Sequence, residues 1–404
     1  MAEPKVRFRR DDGSSYPDIK QVPFGDVVKP FTEKTKTENE DVLLSCAING
    51  VFLNTELFGH QRGASNKGYK KIRRNTLILS AQNLHLGNAN VNQRFEHGII
   101  SPAYNTYDIV GCSPDYMAQW VKREATKKFF YDATTTGASQ CRRNVDWNAL
   151  YEQIFYVPCE EEQQKIADFL SSVDEVITAS EQEVANLETQ KKAVMKKIFS
   201  QEVRFKRADG SDFSVWEEKA IREFAQCVAG ATPSTKVEEY WQDGTIPWMS
   251  SGEVNKGLIF DTDAKITQFG YDNTSTKMVP AETVVIALAG QGKTRGMVAL
   301  TKIELCTNQS LCSIITDGSV YPGYLYQYLI TQYQNLRKVS SGDGTRGGLN
   351  LQLVGDYMVL IPCLEEQRLI ADFLSDFDEA ISAAKKELEL WKELKKGLLQ
   401  QMFV

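Results

Sequence analysis

VPCEEEQQKIADFLSSVDEVI, residues 157–177, returns as IPCLEEQRLIADFLSDFDEAI at residues 361–381, with fourteen of 21 positions identical at a constant offset of 204. Internal repetition this strong fixes an architecture before any local prediction is made. The repeat predicts a chain of two similar halves, about residues 5–199 and 202–404.

A shorter motif repeats upstream of each copy, at an offset of 197. It reads Val6-Arg7-Phe8 with Asp12-Gly13-Ser14 in the first half, and Val203-Arg204-Phe205 with Asp209-Gly210-Ser211 in the second. Its second copy directly follows the first long repeat, whereas its first copy begins the chain. Pseudo-symmetry therefore predicts that the N-terminal segment lies near Phe403.

Each long repeat begins a predicted helix of about 40 residues. Acidic residues fill the first turns and lysines the last, which suits the helix dipole. Apolar residues recur at four-three spacing for about five heptads, and this pattern predicts a coiled-coil seam. The spacing is broken by a lysine at one equivalent position, Lys191 and Lys395. The main seam positions are Ile166, Leu170, Val173, Ile177, Leu187, Val194, Ile370, Leu374, Phe377, Ile381, Leu388, Trp391 and Leu398.

Two globular segments of mixed α+β character stand between the repeats. The predicted order is an N-terminal repeat segment (1–19), a first globular domain (20–156), a central helical region (157–215), a second globular domain (216–360) and a C-terminal helix (361–404). A β-hairpin is predicted at 42–53, with a type I′ turn at Asn49-Gly50. Further strands are predicted at Thr76–Ser80, Thr283–Ala287, Met297–Leu300 and Ser313–Thr316, and amphipathic helices at Pro114–Lys127 and Gly323–Lys338.

Composition narrows the class of protein. The 404 residues are 42% hydrophobic, enough for two cores. No stretch approaches the ~20 apolar residues of a membrane span, and the N-terminus lacks an apolar signal core, so we expect a cytoplasmic protein. The eight cysteines include no CxxC pair and there are three histidines, so we expect neither a metal site nor a disulfide framework.

Charge is unevenly distributed. The net charge of −6 argues against a simple basic DNA-binding protein. Residues 20–156, however, carry 17 Lys and Arg against 13 Asp and Glu, a net of +4, whereas residues 216–360 carry −3. Lysine and arginine supply phosphate contacts, and Gln and Asn can pair with adenine edges. The first-domain candidates for DNA contact are Lys67, Lys70, Lys71, Arg73, Arg74, Ser80, Gln82, Asn83, Arg142 and Arg143. A solvated basic turn before a buried strand is the alternative interpretation.

Two glycine-rich loops, at 290–296 and 340–348, carry the second-domain candidates. Glycine permits close backbone approach to a ligand. The candidates for DNA contact are Ser250, Ser251, Gln291, Lys293, Thr294, Arg295 and Arg346. Residues 287–294, ALAGQGKT, also fit a relaxed P-loop pattern, but a strand-like segment follows where a phosphate-binding loop needs a helix. We therefore regard nucleotide binding as the weaker hypothesis.

No catalytic constellation stands out. Ser113-Pro114-Asp115-Tyr116 is similar to an adenine-methyltransferase motif but lacks its second proline, and its counterpart Tyr321-Pro322-Gly323-Tyr324 indicates a helix start. No Ser/His/Asp arrangement, paired carboxylates or glycine-rich cofactor fingerprint accompanies it. We expect no catalytic residues and no cofactor on this chain.

The chain resembles the DNA specificity subunits of type I restriction-modification systems. The resemblance spans its whole length and is strongest in the doubled motif at Pro158–Glu175 and Pro362–Glu379. Weaker parts are the Arg-Phe-Lys/Arg…Asp-Gly segments, Gly230-Ala231-Thr232-Pro233-Ser234, Tyr240-Trp241, Ile246-Pro247-Trp248, and the stretch 98–104.

The resemblance implies two target-recognition domains separated by helices that form an antiparallel coiled coil. Each domain would read one half of a split site in double-stranded DNA, and the helices would set the gap between the halves. It also implies assembly with two modification subunits, which methylate adenine with S-adenosylmethionine, and with restriction subunits that use ATP and Mg²⁺. The alternative from another class is a coiled-coil adaptor that does not bind DNA.

Overall fold

The computed structural model describes residues 3–60, 65–139, 142–290, 292–339 and 348–404. The chain forms two compact units. Unit 1 comprises Met1–Gln182 with Lys385–Val404, and unit 2 comprises Glu183–Ala384. Each unit therefore contains one globular domain, the first part of one long helix and the last part of the other.

The globular part of unit 1 contains twelve strands and four helices in the described chain. The strands are β1 (Lys20–Pro23), β2 (Val28–Pro30), β3 (Leu44–Ala47), β4 (Gly50–Leu53), β5 (Lys70–Arg73), β6 (Leu77–Ser80), β7 (Ala89–Val91), β8 (His97–Ile100), β9 (Tyr104–Ile109), β10 (Thr134–Ser139), β11 (Arg142–Val145) and β12 (Ile154–Val157). The helices are α1 (Asn54–Phe58), α2 (Pro114–Trp120), α3 (Glu124–Asp132) and α4 (Trp147–Glu152), followed by the long helix α5 (Glu160–Phe199).

Unit 2 repeats this plan with fewer strands, which are joined into larger sheets. Its strands are β13 (Glu217–Ala220), β14 (Ala225–Ala229), β15 (Ile246–Met249), β16 (Leu258–Ile259), β17 (Ala264–Ile266), β18 (Met278–Val279), β19 (Val284–Ala287), β20 (Val298–Thr301), β21 (Leu305–Thr307), β22 (Leu311–Thr316) and β23 (Met358–Ile361). Its helices are α6 (Gln268–Asp272), α7 (Pro322–Thr331), α8 (Tyr333–Val339) and α9 (Leu351–Gly355), followed by the long helix α10 (Leu364–Gln401).

The central sheets of the two units correspond. Unit 1 has the strand order β2-β9-β6-β7, and unit 2 has β14-β22-β19-β20 with β16 added at the edge. In both units an antiparallel strand pair leads into the long helix: Lys20 pairs with Val157, and Glu217 pairs with Ile361. These pairs obey both sequence offsets, so the repeat extends from the helices into the base of each domain.

Unit 2 has a second sheet, in the order β17-β15-β21-β18, that closes over its own apolar cluster. Unit 1 has small two-stranded sheets instead, β3-β4 and β5-β8. The two domains thus share a framework and differ in what is built upon it.

The long helices enter the cores of the domains they flank. In unit 1, Leu170 of α5 and Leu399 of α10 pack in one apolar cluster with Phe24 and Trp120. In unit 2, Ile198 of α5 and Leu374 of α10 belong to the main cluster. All the seam positions predicted from the four-three spacing are buried or half-buried.

Two polar triads interrupt the apolar seam, one in each unit. In unit 2, Lys191 Nζ lies 2.6 Å from Asp378 Oδ1, and Gln327 Nε2 donates to Asp378 Oδ2 at 2.7 Å. In unit 1, Lys395 pairs with Asp174, and Gln119 Nε2 donates to Asp174 Oδ2 at 3.2 Å. In unit 1, Asp174 of α5 pairs with Lys395 of α10 and Glu181 pairs with Lys392, so the paired residue numbers run in opposite directions and the helices are antiparallel.

The triads also join each domain to the helices, because Gln119 lies on α2 and Gln327 on α7. Burial lowers the pKa of Lys191 below the ordinary lysine value of 10.5. The neighbouring Asp378 raises this pKa, but by less than burial lowers it. Burial, with the like charge of Lys122, also lowers the pKa of Lys395.

This burial predicts an alkaline rise in stability. A lysine with a lowered pKa in the folded protein binds its proton more tightly when unfolded, so the free energy of unfolding increases with pH up to about 10.5. Lys191→Met should remove part of that rise, measured by urea unfolding between about pH 8 and 10.5. The exposed neighbour Lys192→Met is the control. Equal pH slopes for the wild type and Lys191→Met would contradict the prediction.

The N-terminal segment lies against the end of α10, as pseudo-symmetry predicts. Val6 N donates to Gln401 O at 3.0 Å, and its counterpart Val203 N donates to Lys197 O at 3.2 Å. Both donors and both acceptors are related by the repeat offsets.

An arginine from each short motif is held by a buried glutamate of the long repeat. Arg7 Nε lies 2.8 Å from Glu162 Oε1, and Arg204 Nη2 lies 2.8 Å from Glu366 Oε2. The glutamate side chains are 1% and 0% exposed. Trp216 Nε1 adds a third hydrogen bond to Glu366, at 3.0 Å.

The glutamine that follows each buried glutamate ties the helix to its domain. Gln163 Oε1 accepts from Ser113 N at 2.7 Å, and Gln367 Oε1 accepts from Tyr321 N at 2.7 Å. Ser113 and Tyr321 are the N-cap residues of α2 and α7. The doubled Glu-Gln of the repeat is therefore explained by structure alone.

Local sequence predictions are confirmed in kind and corrected in detail. The hairpin at 42–53 forms as β3-β4, but Ala47 pairs with Gly50, so Ile48 and Asn49 make the turn. Neither has a positive φ, so the predicted type I′ turn is wrong. The two predicted helices exist but each is divided in two, at 121–123 and at Gln332.

Candidate nucleic-acid interface

The basic cluster predicted in the first domain divides between the two faces of β5. Side chains alternate along a strand, and Lys70 shares the inward face with Ile72. Lys70 is 9% exposed and its Nζ donates to Tyr104 O at 2.5 Å. Burial lowers the pKa of this lysine. The expectation that Lys70 contacts phosphate is therefore corrected to a structural role.

Lys71 points outward but lies between two carboxylates. Its Nζ is 3.0 Å from Glu40 Oε2 and 3.4 Å from Glu33 Oε1. The backbone N–H of Thr37, together with Lys71, lowers the pKa of Glu40 to about 2. Glu40 is therefore ionised at neutral pH, and its negative charge offsets the positive charge of Lys71.

Arg73 and Arg74 are also paired with acids. Arg73 Nη2 is 2.6 Å from Asp108 Oδ1, and Arg74 Nη1 is 2.9 Å from Glu96 Oε1. Both arginines remain more than half exposed. Their guanidinium groups are accessible to phosphate, although each must then compete with its carboxylate. The alternative of a solvated basic turn describes this face of β5 well.

The polar residues after β6 lie apart from that face. Ser80 is 6% exposed, which removes it from the residues that can contact DNA directly. Gln82 and Asn83 are exposed in the turn that connects β6 to β7, and Lys67 is exposed in the turn before β5. These three keep the exposure that base or phosphate contact requires.

Arg143 stands on the hairpin β10-β11 and is largely occupied. Its Nη2 donates to Thr134 O at 2.7 Å, and its guanidinium lies 4.0 Å from the centre of the Tyr131 ring. The backbone of Arg142 is in the same strand, whereas its side chain lies outside the described residues. Arg143 therefore fixes the hairpin to α3.

In unit 2, Ser250 and Ser251 begin a 3-10 helix at residues 251–256. Ser250 N and Ser250 Oγ both donate to Glu253 Oε2, at 2.9 and 3.2 Å. This capping arrangement assigns Ser250 a local structural role. Ser251 is half-buried beside it.

The second-domain glycine-rich loop is clamped to α8. Tyr333 Oη donates to Lys293 O at 2.6 Å, and Arg337 Nη1 donates to Gly292 O at 2.7 Å. Lys293 is exposed and Thr294 and Arg295 are half-buried. The clamp places the loop beside the end of α8, where Arg337 and Lys338 follow one another.

The second glycine-rich loop ends at the same place. Leu349 N donates to Leu288 O at 3.0 Å, immediately before the first loop. Gln291 and Arg346 lie outside the described residues, so their predicted roles stay predictions. The hydrogen bond of Leu349 to Leu288 places Leu349, which follows the second predicted loop, next to Leu288, which precedes the first.

Sequence reasoning missed Arg337 and Lys338. Both belong to a helix that was predicted, but no role was given to them. The available signal was their position: cations at the C-terminus of a helix, directly before a glycine-rich loop. With Lys293 and Arg295 they form a cationic surface, which we name the α8 surface. It gives a net-negative domain a local basic patch.

The P-loop alternative is not favoured by the fold. Residues 292–296 form turns, and the strand β20 follows, so no helix N-terminus stands where phosphate would need it. Within the described ranges, no three His, Cys, Asp or Glu side chains are grouped to hold a metal ion. Nor does any helix of that part of the chain have the length and apolar character to cross a membrane.

The motif at 230–248 holds the second domain together. A Cβ on Gly230 would stand 1.8 Å from Thr307 O, so only glycine fits there. Trp248 Nε1 donates to Ala231 O at 3.0 Å, and its ring meets Trp241 edge to face at 5.0 Å. These contacts give the Gly230 and Trp241–Trp248 motifs a structural role in the second domain.

Comparisons with known proteins agree with this fold. Residues 214–390 match the family model of the type I restriction modification DNA specificity domain. The chain is 32% identical over 213 residues to the specificity subunit of the type I restriction enzyme MjaIX of Methanocaldococcus jannaschii, covering 51% of this chain and 48% of that protein. It is 24% identical over 181 residues to the EcoR124I/EcoR124II specificity subunit of Escherichia coli, covering 44% and 45%. The chain thus spans about half the length of these curated relatives.

A solved structure extends the likeness to the whole fold. The crystal structure of the S subunit of a type I restriction-modification system from M. genitalium superposes with a TM-score of 0.62, at 14% identity, over 100% of this chain and 99% of that one. Residues 214–390 are thus similar to the type I restriction modification DNA specificity domain, and the fold of the whole chain is similar to that of a type I S subunit.

Proposed function

We propose that this chain is a sequence-specific DNA-binding specificity subunit that reads a bipartite site in double-stranded DNA. The observation that carries the proposal is that the two long helices and the contacts at their starts are repeated, whereas the two globular domains attached to them differ. The ion pair Arg7–Glu162 recurs as Arg204–Glu366, so the two domains are attached to the long helices in the same way. The surfaces above them are not alike, as two different half-sites require.

The α8 surface is the proposed contact of the second domain. Its four cations stand in or beside the described part of the loop 290–296, whose glycines allow close approach to a duplex. In the first domain, exposed Lys67, Gln82 and Asn83 are the proposed contacts, with Arg73 and Arg74 released from their carboxylates when phosphate binds.

Two copies of a modification subunit are the proposed partners, with restriction subunits joining them. Supporting this stoichiometry, the framework repeats an exposed apolar pair: Val6 with Phe169, and Val203 with Phe373. Phe169 and Phe373 are each 38% exposed and meet Phe8 and Phe205 edge to face at 5.6 and 5.7 Å. Equivalent surfaces are what two copies of one partner need.

The chain itself is proposed to be non-catalytic and cytoplasmic. S-adenosylmethionine, ATP and Mg²⁺ would be bound by the modification and restriction subunits. In this proposal the chain selects where they act.

The test is to produce the chain with the modification subunit of its own system and map methylated adenines across the host genome. We expect a split motif with a fixed gap. A variant with four residues inserted in both long helices, near Ser180 and Ala384, should change the gap and leave the half-sites unchanged. Absence of methylation from a well-formed complex would overturn the proposal, and so would changed half-sites with an unchanged gap.

The salt dependence of DNA affinity distinguishes this proposal from the alternative of a coiled-coil adaptor. A DNA reader loses affinity as salt rises, because phosphate contacts release counterions. A coiled-coil adaptor should show no such salt-dependent affinity for duplex DNA.

A further inference from the structure

One ion pair at the rim of the helix pair behaves differently from the pairs in its centre. In unit 1, Lys392 Nζ of α10 lies 3.1 Å from Glu181 Oε1 of α5, with the two side chains 41% and 52% exposed. The hydrogen bond to Glu181 raises the pKa of Lys392. This pair joins a residue of the first half to a residue of the second.

The buried pairs cannot distinguish one half from the other. The offset of 204 relates Asp174 to Asp378 and Lys191 to Lys395, so each helix carries both an aspartate and a lysine. If α5 paired antiparallel with α5 of a second chain, Asp174 of each would meet Lys191 of the other. The Asp–Lys pairs therefore fix direction and register, as buried polar residues in coiled coils do, but not the choice of partner.

The rim pair does distinguish them. The same offset relates Glu181 to Lys385 and Lys392 to Glu188. Pairing of α5 with a second α5 would set Glu181 against Glu188, and pairing of α10 with a second α10 would set Lys392 against Lys385. Each form of self-pairing thus contains two like-charge contacts where the native pair has opposite charges.

We propose that these charges direct α5 to α10 and oppose pairing of α5 with α5, or of α10 with α10, between two copies of this chain. The risk of such self-pairing is inherent in the repeat, because fourteen of 21 positions are identical and both helices carry apolar residues at equivalent seam positions. Like charges at facing rim positions are a known means of setting partner choice in coiled coils.

The deciding variant is Glu181→Lys with Lys392→Glu. Within one chain the exchanged pair keeps opposite charges, so folding stability should stay near that of the wild type. If α5 pairs with a second α5, however, the lysine at position 181 now faces Glu188, and the contact is attractive. If α10 pairs with a second α10, the glutamate at position 392 likewise faces Lys385. The variant keeps the native ion pair and loses the discrimination.

The matched control reverses all four charges: Glu181→Lys, Glu188→Lys, Lys385→Glu and Lys392→Glu. Each helix again carries one sign at these positions, so self-pairing is again opposed. The control contains the same two substitutions as the deciding variant, and it should behave as the wild type does.

The measurement uses two copies of the full chain with different affinity tags, produced together. One tag is captured and the amount of the other is quantified, with light scattering of the captured material. We expect the double variant to show roughly tenfold or more exchange above the wild type and the fourfold reversal, since four like-charge contacts each cost a few-fold. Equal exchange in the double variant and the fourfold reversal would overturn the proposal.

A second measurement needs no variant. At about 1 M salt, charges are screened beyond about 3 Å. Refolding of the two tagged wild-type copies together at that salt should raise their exchange several-fold over refolding at low salt. Exchange that does not change with salt would also overturn the proposal.

Discussion

Replacement of Arg204 by alanine should lower the free energy of unfolding by about 3 kcal/mol or more, because it leaves a buried carboxylate without its cation. Glu366 is fully buried, and two of its three hydrogen bonds come from Arg204. Trp216 Nε1 alone would remain. Arg204 Nη2 also donates to Ser214 O at 2.7 Å, so the same change frees the connection into the second domain.

Two variants make this result specific. Arg204→Lys keeps the charge but not the two-pronged geometry, and we expect it to recover only part of the loss. Lys206→Ala is the control: its ion pair with Asp212, at 3.6 Å, is exposed, and its loss should cost less than about 1 kcal/mol. Urea unfolding, followed by circular dichroism, measures all three. A loss for Arg204→Ala no larger than that for Lys206→Ala would contradict the buried-pair account.

Removal of the two exposed lysines of the α8 surface should weaken the contact of the second domain with its half-site. For Lys293→Ala with Lys338→Ala we expect about tenfold weaker DNA binding at moderate salt. The slope of log affinity against log salt should fall by about 1.8, at ~0.9 for each phosphate contact. The effect should be confined to one half-site, because both lysines belong to the second domain.

Fluorescence anisotropy with duplexes altered in one half-site at a time measures this result. Lys302→Ala is the control, since Lys302 lies in the same unit, outside the α8 surface, and pairs with Glu282 at 2.9 Å. Arg337→Ala should weaken the same half-site by releasing the loop that it holds at Gly292. Equal loss at both half-sites would mean that the α8 surface supports the complex without reading DNA.

The framework was predictable because several residues of the long repeat have equivalent partners in both units. Glu162 and Glu366 each bind an arginine of the short motif, and Gln163 and Gln367 each cap a domain helix. Such contacts leave a visible mark when a sequence contains them twice. The seam positions were predictable because apolar residues recur at four-three spacing along both long helices.

The candidate interface was predictable only in part, because charge in a sequence does not say which way a side chain points. Lys70 and Lys71 are neighbours, yet one is buried and the other lies between two carboxylates. The alternation of Lys70 with Ile72 was the signal that could have separated them. Arg337 could not be assigned in advance, since its role depends on a loop that precedes it by 45 residues.

The division of unit 1 has a consequence for how the protein is made. Leu399, Met402 and Phe403 complete the core of unit 1, yet they are synthesised about 200 residues after Gln182. At ~5–20 residues per second, a ribosome needs roughly 10–40 s to cover that distance. Throughout that time Ile166 and Leu170 of α5 can pack against the first domain but lack their partners on α10. The first half of the chain therefore leaves the ribosome with part of its apolar core uncovered until the last helix follows.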